Sequence, residues 1–292
     1  MKAGFVSFIG RPNAGKSTLL NRIVGTKLAI VSDKPQTTRN RILGVKNYPD
    51  AQAVFLDTPG IHRPLHRMNV RMVDTAVDTI GEVDVLGLVV DAAEPAGKGD
   101  SFVLDLVRKA EAPVFLILNK VDLIRKPRLL PMMARYHEMG TIAEIVPVSA
   151  STGDNVDRLE RAIVDRLPDG EPMYPADYLT DQPERFFAAE IVREKVLQFT
   201  HAEIPFSSAV VVDRFEEPPG PKGMLKLYCT ILVDRESQKP IVVGRGGEMI
   251  KKIGTAARAD LEAFFDTHVF IDLHVRVKAE WREDDAVLDD IL

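Results

Sequence analysis

Short apolar runs alternate with amphipathic segments of helical periodicity along the first 168 residues of the chain. Such runs are typical of strands that are buried on both faces of a sheet. They predict strands at 3–9, 53–56, 85–90, 114–118 and 145–148. Apolar side chains at helical spacing predict a helix over 156–166. Strands that alternate with helices predict an α/β fold, in which helices cover both faces of a mainly parallel sheet.

A different pattern begins after residue 183. Helices are predicted over 184–199 and 248–265, and strands over 207–215, 224–233 and 269–278. In the second of these strands every other residue is apolar, which is typical of a strand with one buried face. The run Ile-Val-Val at 241–243 is β-branched, and its composition also predicts a strand. This half of the chain is therefore expected to form a separate α+β domain.

Four prolines and a glycine separate the two patterns, between residues 168 and 183. These residue types disfavour both helix and sheet, so the segment is predicted to be a linker. The expected organisation is a first domain over 1–168, a linker over 169–182, a second domain over 183–282 and an acidic tail over 283–292. The charge of the tail predicts a solvated end.

A glycine-rich motif lies between the first predicted strand and the helix that follows it. Residues 10–17 read GRPNAGKS, which is GxxxxGKS in the strand–loop–helix setting of a phosphate-binding loop. Glycines let successive N–H groups point at an anion, and the helix N-terminus adds positive potential. Lys16 can reach the β and γ phosphates, and Ser17 can offer its hydroxyl to Mg²⁺. The predicted triphosphate site comprises Asn13, Ala14, Gly15, Lys16, Ser17 and Thr18.

The second candidate motif is the DTPG turn at 57–60, which follows a predicted buried strand. A carboxylate at the carboxyl end of such a strand suits an outer-shell ligand of Mg²⁺, which assigns that role to Asp57. Gly60 leaves its N–H free to approach a γ-phosphate. The motif is therefore expected to complete the phosphate side of the site.

The tetrad Asn119-Lys120-Val121-Asp122 follows the next-to-last strand of the first domain. The carboxylate of Asp122 can accept hydrogen bonds from the N1–H and 2-amino groups of guanine, which adenine lacks. Asn119 can contact the other edge of the base, and the Lys120 stem can cover its face. A backbone N–H at Ser149 or Ala150 could meet the guanine carbonyl. GTP is the predicted ligand.

The polar segment 32–41 is predicted to be a mobile loop that is ordered by the γ-phosphate. One of its threonines is expected to complete the Mg²⁺ shell. Thr37 and Thr38 are both candidates; spacing does not choose between them, and we favour Thr38. The predicted metal ligands are then Ser17, Thr38 and Asp57, and the predicted catalytic groups are Lys16, Thr38 and Gly60.

The residue after Gly60 is Ile61. Ras-like GTPases have a glutamine there that orients the attacking water, whereas isoleucine forms no hydrogen bonds. Intrinsic hydrolysis is therefore predicted to be slow, with water placed by a backbone group, a distant residue or a partner. His62 is adjacent, but a lone histidine in a loop is usually solvated.

Composition narrows the class of protein. A length of 292 residues with 45% apolar composition suits two domains. The lone cysteine, Cys229, excludes an intrachain disulfide and fits a reduced cytosolic setting. The apolar stretch at 85–93 is too short to span a bilayer, and no secretory leader is expected. The net charge of −5 does not indicate a nucleic-acid binder, so any RNA contact requires a local basic patch.

Such a patch surrounds a GxxG loop that opens the predicted helix 248–265. Glycines permit close approach to a phosphodiester chain, and this is how KH domains clamp about four unpaired nucleotides. A GxxG sequence alone is weak support, because any glycine turn before a helix satisfies it. The order of helices and strands around it favours a KH domain. The predicted RNA contacts are Gly244, Arg245, Gly246, Gly247, Lys251, Lys252 and Arg258.

From about residue 3 to residue 282 the chain resembles the Era family of bacterial GTPases. The resemblance rests on GRPNAGKSTLLN, KPQTTRNRI, DTPGIH, NKVD and VVGRGGEMIKKIG, in GTPase-then-KH order. It implies a cytosolic GTPase whose type II KH domain binds small-subunit ribosomal RNA near its 3′ end and assists maturation of the small subunit. It also implies peripheral association with the inner face of the membrane, and a short helix at 238–243 in place of the strand. We expect a monomer.

Two alternatives remain open from the sequence. One is a GTPase whose C-terminal domain binds protein or lipid. The other is a metabolic GTP-dependent transferase, which would need a second pocket with a nucleophile or base. In the favoured hypothesis, GTP and Mg²⁺ order the 32–41 loop and thereby change exposure of the GxxG surface.

Overall fold

The computed structural model describes residues 1–61, 64–94, 98–138, 142–218, 220 and 223–292, without the side chains of 98–101. It divides the chain into two compact units. The first comprises Met1–Leu65 and Asn69–Asp181, and the second comprises His66–Met68 and Gln182–Leu292. The candidate base His62 lies outside the described residues.

The first unit is built on a six-stranded sheet, counted over the described residues. Its strand order is β2-β3-β1-β4-β5-β6, and the strands are parallel except for β2, which pairs antiparallel with β3. The strands are β1 (Lys2–Ile9), β2 (Ile42–Tyr48), β3 (Ala51–Asp57), β4 (Val85–Asp91), β5 (Val114–Asn119) and β6 (Glu144–Pro147). Its helices are α1 (Lys16–Val24), α2 (Arg67–Ile80, from residue 69 onward), α3 (Lys98–Val107), α4 (Leu129–His137) and α5 (Val156–Arg166). The predicted strands, the helix at 156–166 and the α/β class are confirmed.

Strand β2 was not predicted from the sequence. Gly44, Lys46 and Asn47 interrupt its apolar residues, so no apolar run is visible. Antiparallel pairing with β3 over seven residue pairs makes it a strand. A side chain at Gly44 would lie 2.9 Å from Leu28 and 3.0 Å from Val24, so the glycine permits close packing of the end of α1 and the segment that follows it.

The predicted linker belongs to the first unit up to Asp181. It has no helix or strand, as expected, but it packs along the edge of the sheet. The rings of Tyr174 and Tyr178 stack at 4.7 Å and cover apolar side chains of β2 and β3. The Val45 N–H donates to the Leu179 carbonyl at 2.9 Å. The segment 169–181 is therefore a strap on the first unit, and the boundary between the two units lies near 181.

The second unit has a three-stranded sheet in the order β7-β8-β9, counted over the described residues. Strand β8 is antiparallel to β7 and parallel to β9. The elements in chain order are α6 (Glu184–Phe199), α7 (Ile204–Ser207), β7 (Ser208–Glu216), β8 (Met224–Val233), α8 (Lys239–Val243), α9 (Glu248–Phe265), β9 (His268–Val277) and α10 (Asp285–Ile291). The predicted α+β pattern is confirmed.

The core of this unit contains the inward side chains of β8, the apolar face of α9 and much of α6. Cys229 is completely buried among them. Burial, with a smaller contribution from the negative charges of Asp213 and Asp272, raises the pKa of its thiol to about 12. The thiol is therefore protonated at neutral pH and serves as an apolar core group.

Residues 239–243 form the helix α8, so the strand predicted from composition is wrong and the helix implied by the family resemblance is confirmed. Pro240 occupies the first turn, where a missing N–H costs nothing. The Gln238 side chain accepts hydrogen bonds from the backbone of Asp234 and Arg235 and fixes the entry to the helix. These local contacts outweigh the β-branched composition.

The acidic tail also differs from expectation. Its residues form α10, and Asp284 caps this helix by accepting a hydrogen bond from the Val287 N–H. Val287 and Leu288 are buried, as is Trp281 just before the helix. The indole N–H of Trp281 donates to the Ser207 carbonyl at 3.0 Å. The prediction of a solvated end is wrong, because burial of these apolar side chains outweighs the solvation of the neighbouring carboxylates.

Candidate functional site

The phosphate-binding loop joins β1 to α1 and is shaped by its glycines. Gly15 has φ +92°, and a side chain there would lie 2.2 Å from Asn119 Nδ2. A side chain at Gly60 would lie 2.8 Å from the backbone of Pro12. The loop is therefore packed tightly against both the NKVD and the DTPG motifs. The three predicted motifs form one site.

Lys16 is buried at the start of α1. Its ammonium donates to the carbonyls of Gly10 at 3.3 Å and Arg11 at 3.2 Å. Burial lowers the pKa of Lys16, and the negative charge of Asp57 opposes that shift. Two neutral carbonyls compensate a buried cation only in part, so the ammonium is ready to receive an anion.

The three predicted metal ligands form a hydrogen-bonded cluster. Ser17 Oγ lies 2.7 Å from both Thr38 Oγ1 and Asp57 Oδ2, and Thr38 Oγ1 donates to Asp57 Oδ2 at 3.3 Å. Thr37 has a different position, because its hydroxyl donates to the Lys34 carbonyl at 2.6 Å. Among the two candidate threonines, the structure therefore places Thr38 at the cluster.

Asp57 provides a direct test of whether this cluster suits a cation. Its Oδ1 atom is completely buried and has no hydrogen-bond partner among the described residues. Burial raises the pKa of Asp57, although Lys16, Ser17 and Thr38 favour its charged form. An orphaned carboxylate oxygen beside two hydroxyls is a set of hard oxygen donors, which fits Mg²⁺ with its bound water.

The base side of the site is organised by Asn119, which is buried at the end of β5. Its Nδ2 donates to the Ala14 carbonyl at 2.9 Å, and its Oδ1 accepts the Ala150 N–H at 2.9 Å. Asn119 thus ties the phosphate loop to the turn that follows β6. Asp122 lies nearby in the 3₁₀ turn Val121–Leu123, with its side chain exposed.

Lys120 has a partner that sequence analysis missed. Its ammonium pairs with Asp91 Oδ2 at 2.6 Å. Asp91 ends β4 as Asn119 ends β5, and the two residues are in register in the parallel sheet. A polar residue at a strand's carboxyl end was the available signal, since ligands bind at that edge of an open α/β sheet.

A cleft collects most of the predicted nucleotide-binding residues. Part of the polar segment 32–41 lines it, including Ser32, Asp33, Thr37 and Thr38. The predicted residues that line it are Asn13, Gly15, Lys16, Ser17, Thr18, Thr38, Gly60 and Lys120. Asp57, Ala14, Asn119 and Ala150 contact lining residues or one another by hydrogen bonds. Neither Ser149 nor Asp122 lines the cleft.

Ile61 does not face the cleft. It is buried in the apolar core with Ile9 and Leu88, and its N–H donates to the Gly10 carbonyl at 3.1 Å. The side chain therefore contributes packing, and its backbone helps hold the phosphate loop.

The second predicted site is the GxxG loop between α8 and α9. A side chain at Gly244, which has φ +76°, would lie 2.6 Å from the Met249 N atom, so glycine is needed for packing. Gly246 and Gly247 also have positive φ, but the space around them is open. Open space at two glycines before a helix N-terminus permits a phosphate to approach the backbone.

A groove between α9 and β9 begins at Ile250, in the first turn of the helix that this loop opens. Lys251 and Arg258 line it together with exposed Phe270, which sequence analysis missed. The available signal for Phe270 was a large aromatic residue at a position of the strand whose side chain faces outward. Lys252 lies elsewhere: its ammonium sits 4.3 Å from the centre of the Phe199 ring. The predicted cations are therefore split between two faces of α9.

Comparison with known proteins identifies the family. Residues 5–120 match the family described as 50S ribosome-binding GTPases, and residues 203–282 match the KH domain family. GTPase Era of Geotalea daltonii is 52% identical over 286 residues, which are 98% of this chain and 96% of the relative. The chain belongs to the Era family of GTPases. Era of Geobacter metallireducens is 50% identical over 290 residues, covering 99% and 97%.

Two solved Era structures align with the whole chain. A variant of Aquifex aeolicus Era bound to GDP·AlF4⁻ is 40% identical with a TM-score of 0.95, and covers 100% of this chain and 99% of its own. Era in complex with MgGDPNP and nucleotides 1506–1542 of 16S ribosomal RNA is 41% identical with a TM-score of 0.95, covering 100% and 98%. The predicted Era membership and the order of GTPase and KH domains are confirmed.

Membership in the Era family makes this chain a GTPase and removes support for a metabolic transferase. In the described part of the chain, no helix has both the length and the apolar character that crossing a membrane requires.

Proposed function

We propose that this protein is a GTP-hydrolysing switch that binds small-subunit ribosomal RNA near its 3′ end and assists assembly of the small subunit. The observation that carries the proposal is the alignment of the whole chain with an Era protein solved with MgGDPNP and a 16S RNA fragment. Both glycine loops of this chain support it, because each adjoins open space and cationic side chains.

At the phosphate site, Ser17 and Thr38 would hold Mg²⁺ directly and Asp57 would hold it through water. A magnesium ion supplies charge neutralisation between the β and γ phosphates. Lys16 stabilises negative charge on the transferred phosphoryl group, and the Gly60 N–H donates to the γ-phosphate. Asn13, Ala14, Gly15 and Thr18 complete the cradle through the loop backbone.

The assignment of Thr38 predicts a difference between adjacent threonines. Thr38→Ala is expected to raise the Mg²⁺ concentration needed for half-maximal GTP hydrolysis by roughly 10- to 100-fold, as is typical for weakened metal ligation. Thr37→Ala is the matched control and should stay within about twofold of the wild type. A Mg²⁺ titration of single-turnover hydrolysis measures both. A larger effect at Thr37 would reverse the assignment.

At the base site, Asp122 would accept the guanine N1–H and 2-amino hydrogens, while Asn119 and the Lys120 stem hold the base. Ser149 and Ala150 belong to the turn that faces the guanine carbonyl. The ion pair with Asp91 restrains Lys120 against the cleft.

Asp122→Asn is expected to change the base preference of the site from guanine to xanthine. Xanthine has a carbonyl where guanine has the 2-amino group, so an amide N–H can donate to it, whereas the carboxylate partner of guanine is lost. We expect affinity for GDP to fall by about 10²-fold or more and affinity for XDP to rise. Competition against a fluorescent nucleotide measures both. Unchanged preference for GDP would remove Asp122 from the base site.

Slow intrinsic hydrolysis remains part of the proposal, because buried Ile61 cannot orient water. Single-turnover cleavage of GTP should be slow for the protein alone and faster with small-subunit ribosomal RNA. A fast rate that ignores RNA would contradict this.

RNA is proposed to bind at the GxxG loop, through Gly244, Arg245, Gly246 and Gly247, and along the groove with Lys251 and Arg258. Phe270 offers a ring on which an unpaired base can stack. Lys252, held over Phe199 on the other face of α9, would add positive potential to this part of the domain without lining the groove. A basic groove with one aromatic surface suits single-stranded RNA better than an acidic protein partner.

Nucleotide state is proposed to change RNA affinity. The test is binding of a 3′-end ribosomal RNA oligonucleotide to the full chain with a GTP analogue and Mg²⁺, with GDP, and without nucleotide. Different affinities are expected; identical affinities would refute the coupling, because a ligand that favours neither state shifts nothing.

Peripheral membrane association and a monomeric state are also proposed. Cosedimentation with anionic vesicles tests the membrane association, and light scattering tests the monomeric state.

A further inference from the structure

Arg22 lies in the last turn of α1 and reaches a turn that is distant in sequence. Its Nε donates to the Ala150 carbonyl at 3.1 Å, and its Nη2 donates to the Ser151 carbonyl. A guanidinium that donates hydrogen bonds to two adjacent carbonyls fixes their orientation more firmly than a single hydrogen bond could. Because α1 begins at the phosphate loop, Arg22 ties the base-side turn to the phosphate-binding helix.

The remaining N–H groups of this turn already have partners. The Ser149 N–H donates to the Asp154 carbonyl at 3.0 Å, and the Ala150 N–H donates to Asn119 at 2.9 Å. The Thr152 N–H donates to Ser149 Oγ at 3.2 Å. From Ser149 to Gly153, the N–H of Ser151 is the one without a hydrogen-bond partner among the described residues.

The Ser151 N–H shares a peptide unit with the Ala150 carbonyl that Arg22 holds. The peptide bond is planar and trans, so the carbonyl and the N–H of one unit point in opposite directions. Holding the carbonyl therefore aims the N–H. An arginine on α1 controls the direction of a donor that it does not touch.

We propose that Arg22 is a positioning residue for guanine recognition, which aims the Ser151 N–H at the O6 atom of the base through the Ala150 carbonyl. The inference rests on the proposed function, in which this turn faces the guanine carbonyl. It moves the donor from the N–H groups of Ser149 and Ala150, which have partners within the protein, to the N–H of Ser151. It also adds Arg22, a residue outside the recognised motifs. Asn119 orients the turn at Ala150, and Arg22 orients it at the next peptide unit.

The test compares dissociation constants of the full-length protein for GDP and 6-thio-GDP at neutral pH. Sulfur at position 6 accepts hydrogen bonds poorly, so the wild type should prefer GDP. Arg22→Ala should weaken GDP binding by about tenfold, which corresponds to one hydrogen bond of about 1.4 kcal/mol. It should change 6-thio-GDP binding little, so that the preference is lost. Arg22→Lys should be intermediate, because an ammonium can hold one carbonyl without the planar fork.

Arg161→Ala is the matched control, since Arg161 lies exposed on α5 and pairs only weakly with Asp157 at 3.7 Å. It should leave both constants unchanged. If Arg22→Ala retains the full preference for GDP, or weakens both ligands equally, the positioning role is refuted. If the wild type itself shows no preference, the O6 contact fails and with it this part of the proposed function. Thermal unfolding of each variant without nucleotide checks that the fold is intact.

Discussion

Lys16→Met is expected to lower the single-turnover rate of GTP cleavage by on the order of 10² to 10³, the usual loss when one preorganised donor to the transition state is removed. Lys16 is buried, and two loop carbonyls hold its ammonium at the phosphate cradle. Methionine has similar length and no charge, so the cavity stays filled while the cation is lost. Rapid-quench measurement with saturating GTP and Mg²⁺ gives the rate. Lys109→Met, at an exposed position, is the control.

Although Lys16→Met should slow hydrolysis, it is not expected to destabilise the nucleotide-free protein. Burial lowers the pKa of Lys16 in the folded state, so the unfolded chain binds more protons than the folded protein between that lowered pKa and the ordinary value of 10.5. The buried ammonium therefore destabilises the fold at neutral pH, and this penalty declines as pH rises toward that value. Lys16→Met should be at least as stable as the wild type in urea at neutral pH. A strongly destabilised variant would contradict this role of the buried charge.

The second large effect is expected at the other glycine loop. Replacing Gly246 and Gly247 together by Asp should weaken binding of single-stranded ribosomal RNA by about 100-fold or more, because like charges placed against each other cost several kcal/mol. The space around both glycines is open, so the new side chains meet no protein atom within 4 Å. Fluorescence anisotropy with a labelled oligonucleotide gives the affinity.

Replacing the same two glycines by Asn separates charge from backbone strain. Both positions have positive φ, which costs roughly 1–2 kcal/mol for a residue with a side chain, and Asn and Asp share shape and tolerance of that region. The Asn variant should therefore match the Asp variant in stability while losing much less RNA affinity. Unchanged RNA affinity in the Asp variant would favour the alternative in which this domain binds protein or lipid.

Periodic segments could be predicted closely from the sequence. The helices α5 and α9 and the strand β8 have the expected bounds, because each buries an apolar face at its own period. Helix α6 also has the expected bounds, although its residues 191–197 are buried on all sides of the helix. Strand β2 could not be found, since its pairing with β3 and the packing allowed by Gly44 are tertiary effects. Composition alone also fails at α8, where local hydrogen bonds decide the conformation.

The packing of the linker and of the acidic tail is hidden from sequence analysis for a related reason. Proline and acidic residues indicate loops and solvated ends when neighbours are ignored. The stacked tyrosines of the strap and the buried Trp281 and Leu288 near α10 show how few apolar side chains are needed to dock such segments. Their positions in the sequence carry no periodic signal.

The candidate site was predictable where fixed spacing reflects chemistry. The phosphate loop, the DTPG turn and the NKVD tetrad meet because parallel strands bring their carboxyl ends to one edge. Residues that act by positioning another residue do not occur at a fixed spacing from it in the sequence, so no motif reveals them. Asp91 and Arg22 are visible only once the sheet and α1 are assembled, since each supports a residue far away in sequence.

Crosslinking in living cells, with mapping of both the bound RNA and the attached peptide, tests the central claim most directly. The expected crosslinks join nucleotides near the 3′ end of small-subunit ribosomal RNA to peptides that contain the GxxG loop, α9 or β9. Crosslinks that map to other RNAs, or to the GTPase unit alone, would contradict the claim that one chain grips a guanine nucleotide and this RNA with two glycine loops.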